Sequence, residues 1–194
     1  MSFEEYDAFE DPYAYPGTTV LKNLLDIRDQ AKLEAFEVEI STLRAEEPLP
    51  EGDFDPTHYC SVHRHLFQDV YPWAGVYRTV RTSKGGNAFC YPENLPTHMD
   101  ALFHELRTGE ILQNPASDRF LPGIARFLGE LNAIHPFREG NGRSQLAFLG
   151  LLGATIGRPF AFQRLNRTTF MPAMIASFEG DREPLLIELK KLLR

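Results

Sequence analysis

The sequence predicts a mainly α-helical domain, a bundle around one central buried helix with a single small β-hairpin laid against it. Three observations lead there. Apolar residues recur at intervals of three and four in segment after segment, the period of a helix with one buried face. The run from Leu146 to Ile156 is apolar on every side yet much too short for a membrane span, as suits a helix enclosed by others. One stretch, Val76 to Tyr91, instead combines β-branched alternation with a Gly-Gly turn.

In chain order, residues 1–11 carry Glu4, Glu5, Asp7, Glu10 and Asp11 with no compensating base, which predicts an acidic tail before a single domain over residues 12–194. Residues 12–19, rich in Pro and Tyr, form a turn-rich lead-in. Asp29 is a good N-cap for a helix with Leu33, Phe36, Ile40 and Leu43 on its face, ended by Pro48. Asp55-Pro56 opens a second helix, with Tyr59, Val62, Leu66, Phe67 and Val70 inward. His58 and His65 lie on it but form no i, i+4 histidine pair, so they read as structural.

Tyr71-Pro72-Trp73-Ala74-Gly75 breaks that helix. Val76 to Thr82 reads as a strand, Lys84-Gly85-Gly86-Asn87 as a hairpin turn, and Ala88 to Tyr91 as the return strand. Leu95, Met99, Leu102, Phe103 and Leu106 mark the next helix, while Phe120, Ile124, Phe127, Leu128, Leu131 and Ile134 run straight into His135. Gly157 with Arg158-Pro159 stops the central run. Phe170, Met174, Ile175 and Phe178 mark a helix closed by Gly180. Leu185, Leu186, Leu189, Leu192 and Leu193 mark the last one, capped by Asp181.

A net charge of −7 argues against a nucleic-acid partner, because neutralising phosphates needs surplus Lys and Arg. Cys60 and Cys90 are far apart with no C-x-x-C spacing, which fits two reduced thiols. No apolar run approaches the roughly 18 residues of a membrane span. The expectation is a cytoplasmic protein with no membrane partner, delivery into another cell by a secretion system being the alternative.

The chemistry concentrates in His135-Pro136-Phe137-Arg138-Glu139-Gly140-Asn141-Gly142-Arg143. If a glycine there opens a helix, the first N–H groups have no internal partner and carry the positive dipole end, a site for an anion. Glycine lets a phosphate approach the main chain, and Arg143 adds a permanently charged fork suited to phosphate oxygens. Glu139 could share a Mg²⁺ with those phosphates, since this ion needs only one or two protein carboxylates. His135 could take a proton from a hydroxyl near neutral pH. The group suggests transfer of a phosphate-containing moiety.

This stretch resembles the signature of the Fic (filamentation induced by cAMP) family, and the likeness extends to Tyr15-Pro16-Gly17-Thr18, to residues 65–75 and to Ser83-Lys84-Gly85-Gly86. The resemblance implies a Fic-like helical bundle and a protein adenylyltransferase, which moves AMP from ATP to a Tyr, Ser or Thr hydroxyl with Mg²⁺ as cofactor. It gives His135 the role of catalytic base, Glu139 that of metal ligand, and Gly140, Asn141, Gly142 and Arg143 that of nucleotide site. It makes Thr82, Ser83, Lys84, Gly85, Gly86, Asn87, Ala88 and Phe89 a flap that docks the target protein by strand addition. Glycine rather than lysine at Gly142 favours adenylyl transfer over kinase chemistry within the family.

One position departs from the pattern: Leu146 stands where the family has a second arginine, three residues after Arg143. The implied alternatives are therefore a weakened nucleotide- or protein-binding module, or a phosphotransferase with another donor. The nearest match to the family's inhibitory motif, Thr42-Leu43-Arg44-Ala45-Glu46-Glu47, reads as a solvated helix end. The chain thus resembles the toxin class held by a separate small antitoxin protein.

Overall fold

The computed structural model describes residues 11–84 and 86–194. Residues 1–10 of the expected tail and Gly85 of the hairpin turn lie outside them. Among the described residues the chain forms helices α1 (Gln30–Glu46), α2 (Pro56–Phe67), α3 (Leu95–Thr108), α4 (Glu110–Gln113), α5 (Phe120–Ile134), α6 (Asn141–Thr155), α7 (Arg167–Phe178) and α8 (Glu183–Leu192). Strands β1 (Ser83–Lys84) and β2 (Asn87–Ala88) pair as an antiparallel hairpin. The mainly α-helical bundle with one small hairpin is as expected, and no helix among the described residues is long and apolar enough to cross a membrane.

Side-chain caps mark the starts of α1, α2 and α7. The Asp29 carboxylate accepts the Lys32 N–H at 2.9 Å and the Asp55 carboxylate the His58 N–H at 2.7 Å, each taking up a donor that the first turn leaves over. Pro56 occupies the first position of α2, where its missing N–H costs nothing. Asn166 opens α7 in the same way, accepting from Thr168 at 3.0 Å.

The bundle has a central helix, but it is α5, which packs against α3, α4, α6, α7 and α8, and not the apolar run after Arg143 expected there. Helix α6, built from the apolar run, lies between α2 and α5 and buries Phe148, Leu149 and Leu152, whereas Leu146, Ala147 and Leu151 on its flank are half-buried. Edge-on and tilted ring contacts among Tyr59, Phe103, Phe127, Phe137 and Phe148, with centroids 5.3–5.7 Å apart in neighbouring pairs, fill the space between α2, α3, α5 and α6.

Two local expectations are corrected. Helix α1 buries Leu33, Glu37 and Ser41, while Phe36 and Ile40 are half-buried and Leu43 is 52% exposed. The helix is rotated from its apolar stripe because Glu37 and Ser41 find charged and polar partners inside, described below. The hairpin, expected from Val76 to Tyr91, is confined to residues 83–88, with Ser83 opposite Ala88 and Lys84 opposite Asn87. One further bond crosses it, from the Phe89 N–H to the Thr82 carbonyl at 3.1 Å, but beyond that both flanks bond elsewhere: the Arg78 N–H donates to the Pro136 carbonyl at 2.9 Å, and the Cys90 N–H to the Ala133 carbonyl at 3.2 Å. A chain bonded to the end of α5 cannot also ladder with a return strand.

Candidate active site

His135 ends α5. Its N–H still reaches the Leu131 carbonyl at 3.0 Å, but its backbone turns left-handed, φ 49° and ψ 61°. Such a conformation in a non-glycine residue costs roughly 1–3 kcal/mol and persists only where the surroundings impose it. Arg78 imposes it here. This guanidinium, 2% exposed, donates to four carbonyls: His135 at 2.8 Å, Ile134 at 3.2 Å, Cys90 at 2.5 Å and Val80 at 2.6 Å. Burial lowers its pKa. One side chain thereby sews the histidine turn to the stem on both sides of the hairpin.

The His135 ring lies flat on Phe89, centroids 3.8 Å apart and planes within 8°. Its Nδ1 is 3.3 Å from the Asn132 carbonyl, which can only accept, so Nδ1 carries the proton and Nε2 is the ring's acceptor. Of the eight residues expected to form a flap, Phe89 is thus buried against the His135 ring, and Ser83, Gly86 and Ala88 are exposed.

The next residues bury the loop. Phe137 is fully enclosed, stacked on His63 at 3.7 Å and beside Tyr59 at 5.4 Å, a burial that contributes roughly 2–3 kcal/mol. The Asn141 amide locks it from the other side, accepting the Phe137 N–H at 3.0 Å and donating to the Phe137 carbonyl at 2.8 Å. Asn141, expected in the nucleotide site, therefore spends its side chain on the loop and keeps its main-chain N–H in the first turn of α6. Arg138 pairs with Asp11 at 2.6 Å, pinning the last residue of the expected acidic tail to the loop.

Gly140 is the N-cap of α6 with φ 82°, and a Cβ there would meet the Phe67 ring at 2.5 Å. Only glycine combines that backbone with that contact. Its N–H donates to the Glu139 carboxylate at 2.8 Å, and its carbonyl accepts the Ser144 N–H at 3.0 Å. Helix geometry leaves the N–H groups of Asn141, Gly142 and Arg143 without an intrahelical partner, at the positive end of the dipole. Gly142 is exposed, and apart from its chain neighbours and its own helix backbone nothing lies within 4 Å of where its Cβ would be.

One turn along, the Arg143 guanidinium sits 4.7 Å over the Phe67 ring and forms an ion pair with Glu37 of α1. It also donates to Ser41 at 3.0 Å and lies 3.7 Å from the Glu139 carboxylate. Glu37 is 7% exposed, and its second oxygen accepts the Tyr71 hydroxyl. Leu146 lies half-buried on the same helix. His135, Glu139, Gly140, Gly142 and Arg143 are thus gathered at one helix junction, with the hairpin stem joined to it through Phe89.

His63 was missed by sequence reasoning. Buried on the apolar face of α2, it accepts the Gly75 N–H at Nδ1, 2.8 Å, which puts its proton on Nε2 for the Glu139 carbonyl at 3.0 Å. Desolvation drives its pKa down to about 3, so it stays neutral. A polar residue between Val62 and Leu66 on an otherwise apolar stripe was its one signal; Glu37, four residues after Leu33, carried the same signal. Arg78 had none. His58 and His65, by contrast, hydrogen-bond the carbonyls of Pro50 at 2.7 Å and Arg44 at 2.8 Å, holding the loop after α1 and the last turn of α1 to α2.

Residues 53–152 match the model of the Fic/DOC family. The chain is 48% identical over 189 residues to a probable protein adenylyltransferase of Sinorhizobium fredii, covering 97% of this chain and 98% of that protein. It is 30% identical to the probable protein adenylyltransferase Fic of Escherichia coli, over 98% and 96% of the two chains. It is 34% identical to the protein adenylyltransferase VbhT of Bartonella schoenbuchensis, over 92% of this chain and 38% of that longer one. In three dimensions it is similar to BepC, a VirB-translocated effector protein of Bartonella tribocorum with bound AMPPNP, at a TM-score of 0.84 and 25% identity over 96% and 98% of the two chains. With the histidine turn and the glycine-opened helix in place, these similarities establish that the chain belongs to the Fic/DOC family.

Proposed function

We infer that this protein is a protein adenylyltransferase that moves AMP from ATP to a Tyr, Ser or Thr hydroxyl of a target protein. The observation that carries the reading is the junction itself: a fixed imidazole at the end of α5, and within one loop the N-terminus of α6 with a cation one turn inside it. The adenylyltransferase names of the relatives and the AMPPNP bound by BepC support it.

In the reaction the target's hydroxyl oxygen bonds to the α-phosphorus of ATP while the bond from that phosphorus to the bridging oxygen breaks. Pyrophosphate leaves, and the hydroxyl proton passes to Nε2 of His135. The main-chain N–H groups of Asn141, Gly142 and Arg143 face the phosphates, and the Arg143 guanidinium clamps them. The open space at Gly142 leaves the phosphates room to reach those groups. Glu139 suits Mg²⁺: its carboxylate is half-exposed beside the helix N-terminus, and this ion needs only one or two carboxylates besides phosphate oxygens. Bound there, Mg²⁺ would neutralise developing phosphate charge. The hairpin edge, Thr82 to Phe89, docks the target's main chain beside His135.

In the cell this activity belongs to a toxin held by a small separate inhibitor, or to an effector; the VirB-translocated neighbours support the second setting. The test is incubation with Mg²⁺, lysate and ATP labelled at the α or the γ phosphate. α label on a protein, absent with His135→Ala, is expected; transfer of the γ label alone makes the chain a kinase, and transfer of neither makes it a binding module. Leu146→Arg in the same assay restores a cation three residues from Arg143 and should raise transfer about tenfold, the worth of one charge-assisted hydrogen bond.

A further inference from the structure

Helix α1 lies about a hundred residues before the signature loop, yet it supplies the partner of the loop's arginine. Glu37 of α1 is 7% exposed, a carboxylate deeply withdrawn from water. Such a group needs a cation and hydrogen-bond donors to remain there ionised. It has both: one oxygen takes the Arg143 guanidinium and the other the Tyr71 hydroxyl. Burial and the carboxylate beside it push the Tyr71 pKa upward, which keeps the phenol a donor.

The arrangement fixes Arg143 in direction as well as in place. Ser41, one turn after Glu37, accepts from a second guanidinium nitrogen at 3.0 Å, and the guanidinium carbon sits 4.7 Å over the centre of the Phe67 ring. A guanidinium has five N–H groups, so these two bonds leave three. With its side chain 35% exposed, Arg143 still presents an edge to solvent at the mouth of α6. Tyr71 is itself held, stacked on Trp73 at 4.3 Å, and Gly75 of the same turn donates to His63, which returns to the Glu139 carbonyl. The ring of contacts closes on the site it started from.

We propose that Glu37, seated by Tyr71, is a positioning residue that holds Arg143 oriented toward the nucleotide phosphates. A free arginine would lose side-chain conformations on each binding event, and here that ordering is already done when the chain folds. Leu146 sharpens the need, because the second arginine of the family pattern is absent and Arg143 acts without it. The inference rests on the adenylyltransferase reading, and equilibrium binding separates the two.

ATP binding with Mg²⁺ is measured by calorimetry in the full chain for wild type, Glu37→Asp, Glu37→Gln, Tyr71→Phe, Arg143→Ala and the double variant Glu37→Asp/Arg143→Ala. Asp keeps the charge but loses a methylene of reach; Gln keeps the shape but loses the charge. Each Glu37 variant should weaken ATP binding about tenfold, and Tyr71→Phe less, while Glu37→Asp adds nothing once Arg143 is Ala. A role in folding alone would lower the melting temperature of the double variant without that non-additivity in binding. Wild-type affinity or tighter binding in Glu37→Asp and Glu37→Gln overturns the proposal, as does the same weakening in the Arg143→Ala background. A wild-type chain that takes up no ATP overturns the adenylyltransferase reading and this inference with it.

Discussion

Two glycines two positions apart at the start of α6 have different reasons to be glycine. Gly140 combines φ 82° with a Phe67 ring that a Cβ would strike at 2.5 Å, so its constraint is internal to the fold. Gly142 has ordinary helical backbone and open space where its Cβ would be, so nothing in the protein demands glycine there. Gly140→Ala should therefore cost about 2–4 kcal/mol of stability, strain plus overpacking. Gly142→Ala should leave stability within about 1 kcal/mol, or raise it, because alanine is the better helix former, yet weaken ATP binding about tenfold by crowding the phosphates. Thermal melts and calorimetry on the two variants check this; equal effects of both on melting temperature would contradict it.

At the level of elements, the hairpin stem and the His135 turn are joined as one piece. Arg78 binds carbonyls on both, and Phe89 at the hairpin's foot covers the His135 ring. The paired part beyond them is only residues 83–88, too short to be stable by itself, so its rigidity comes from the stem. Replacing residues 83–88 by two glycines, with Phe89 and Arg78 kept, should preserve ATP affinity within about twofold. It should also abolish labelling of the target protein. Retained labelling would place the target's dock elsewhere.

At the scale of the molecule, buried polar links tie distant segments together, and one of them sets an acid limit. His63 joins α2, the Trp73–Gly75 turn and the signature loop while neutral, with a folded pKa of about 3. The unfolded chain takes up that proton near pH 6.5, so between those values the unfolded state binds more protons and stability falls as pH falls. The contribution is complete above pH 6.5 and declines by about 1.4 kcal/mol per unit below it, or about 2 kcal/mol by pH 5. Urea melts at pH 7 and pH 5 should show this loss, and the His63 ring signals should not titrate between pH 8 and 5. An imidazole titrating near 6.5 would contradict the assignment.

The sequence by itself determined the helical bundle, the starts of α1 and α2 at Asp29 and Asp55, and the chemistry gathered from His135 to Arg143. These depend on spacing, capping and residue type within a few turns of chain, and that information is local. The tertiary structure decided which face of α1 is buried, how short the hairpin is, and which residues hold the site in shape. Glu37, His63 and Arg78 owe their roles to partners 106, 76 and 57 positions away along the chain. A buried charge or imidazole is tolerable only where a distant segment supplies its hydrogen bonds, and no local pattern records which segment that is.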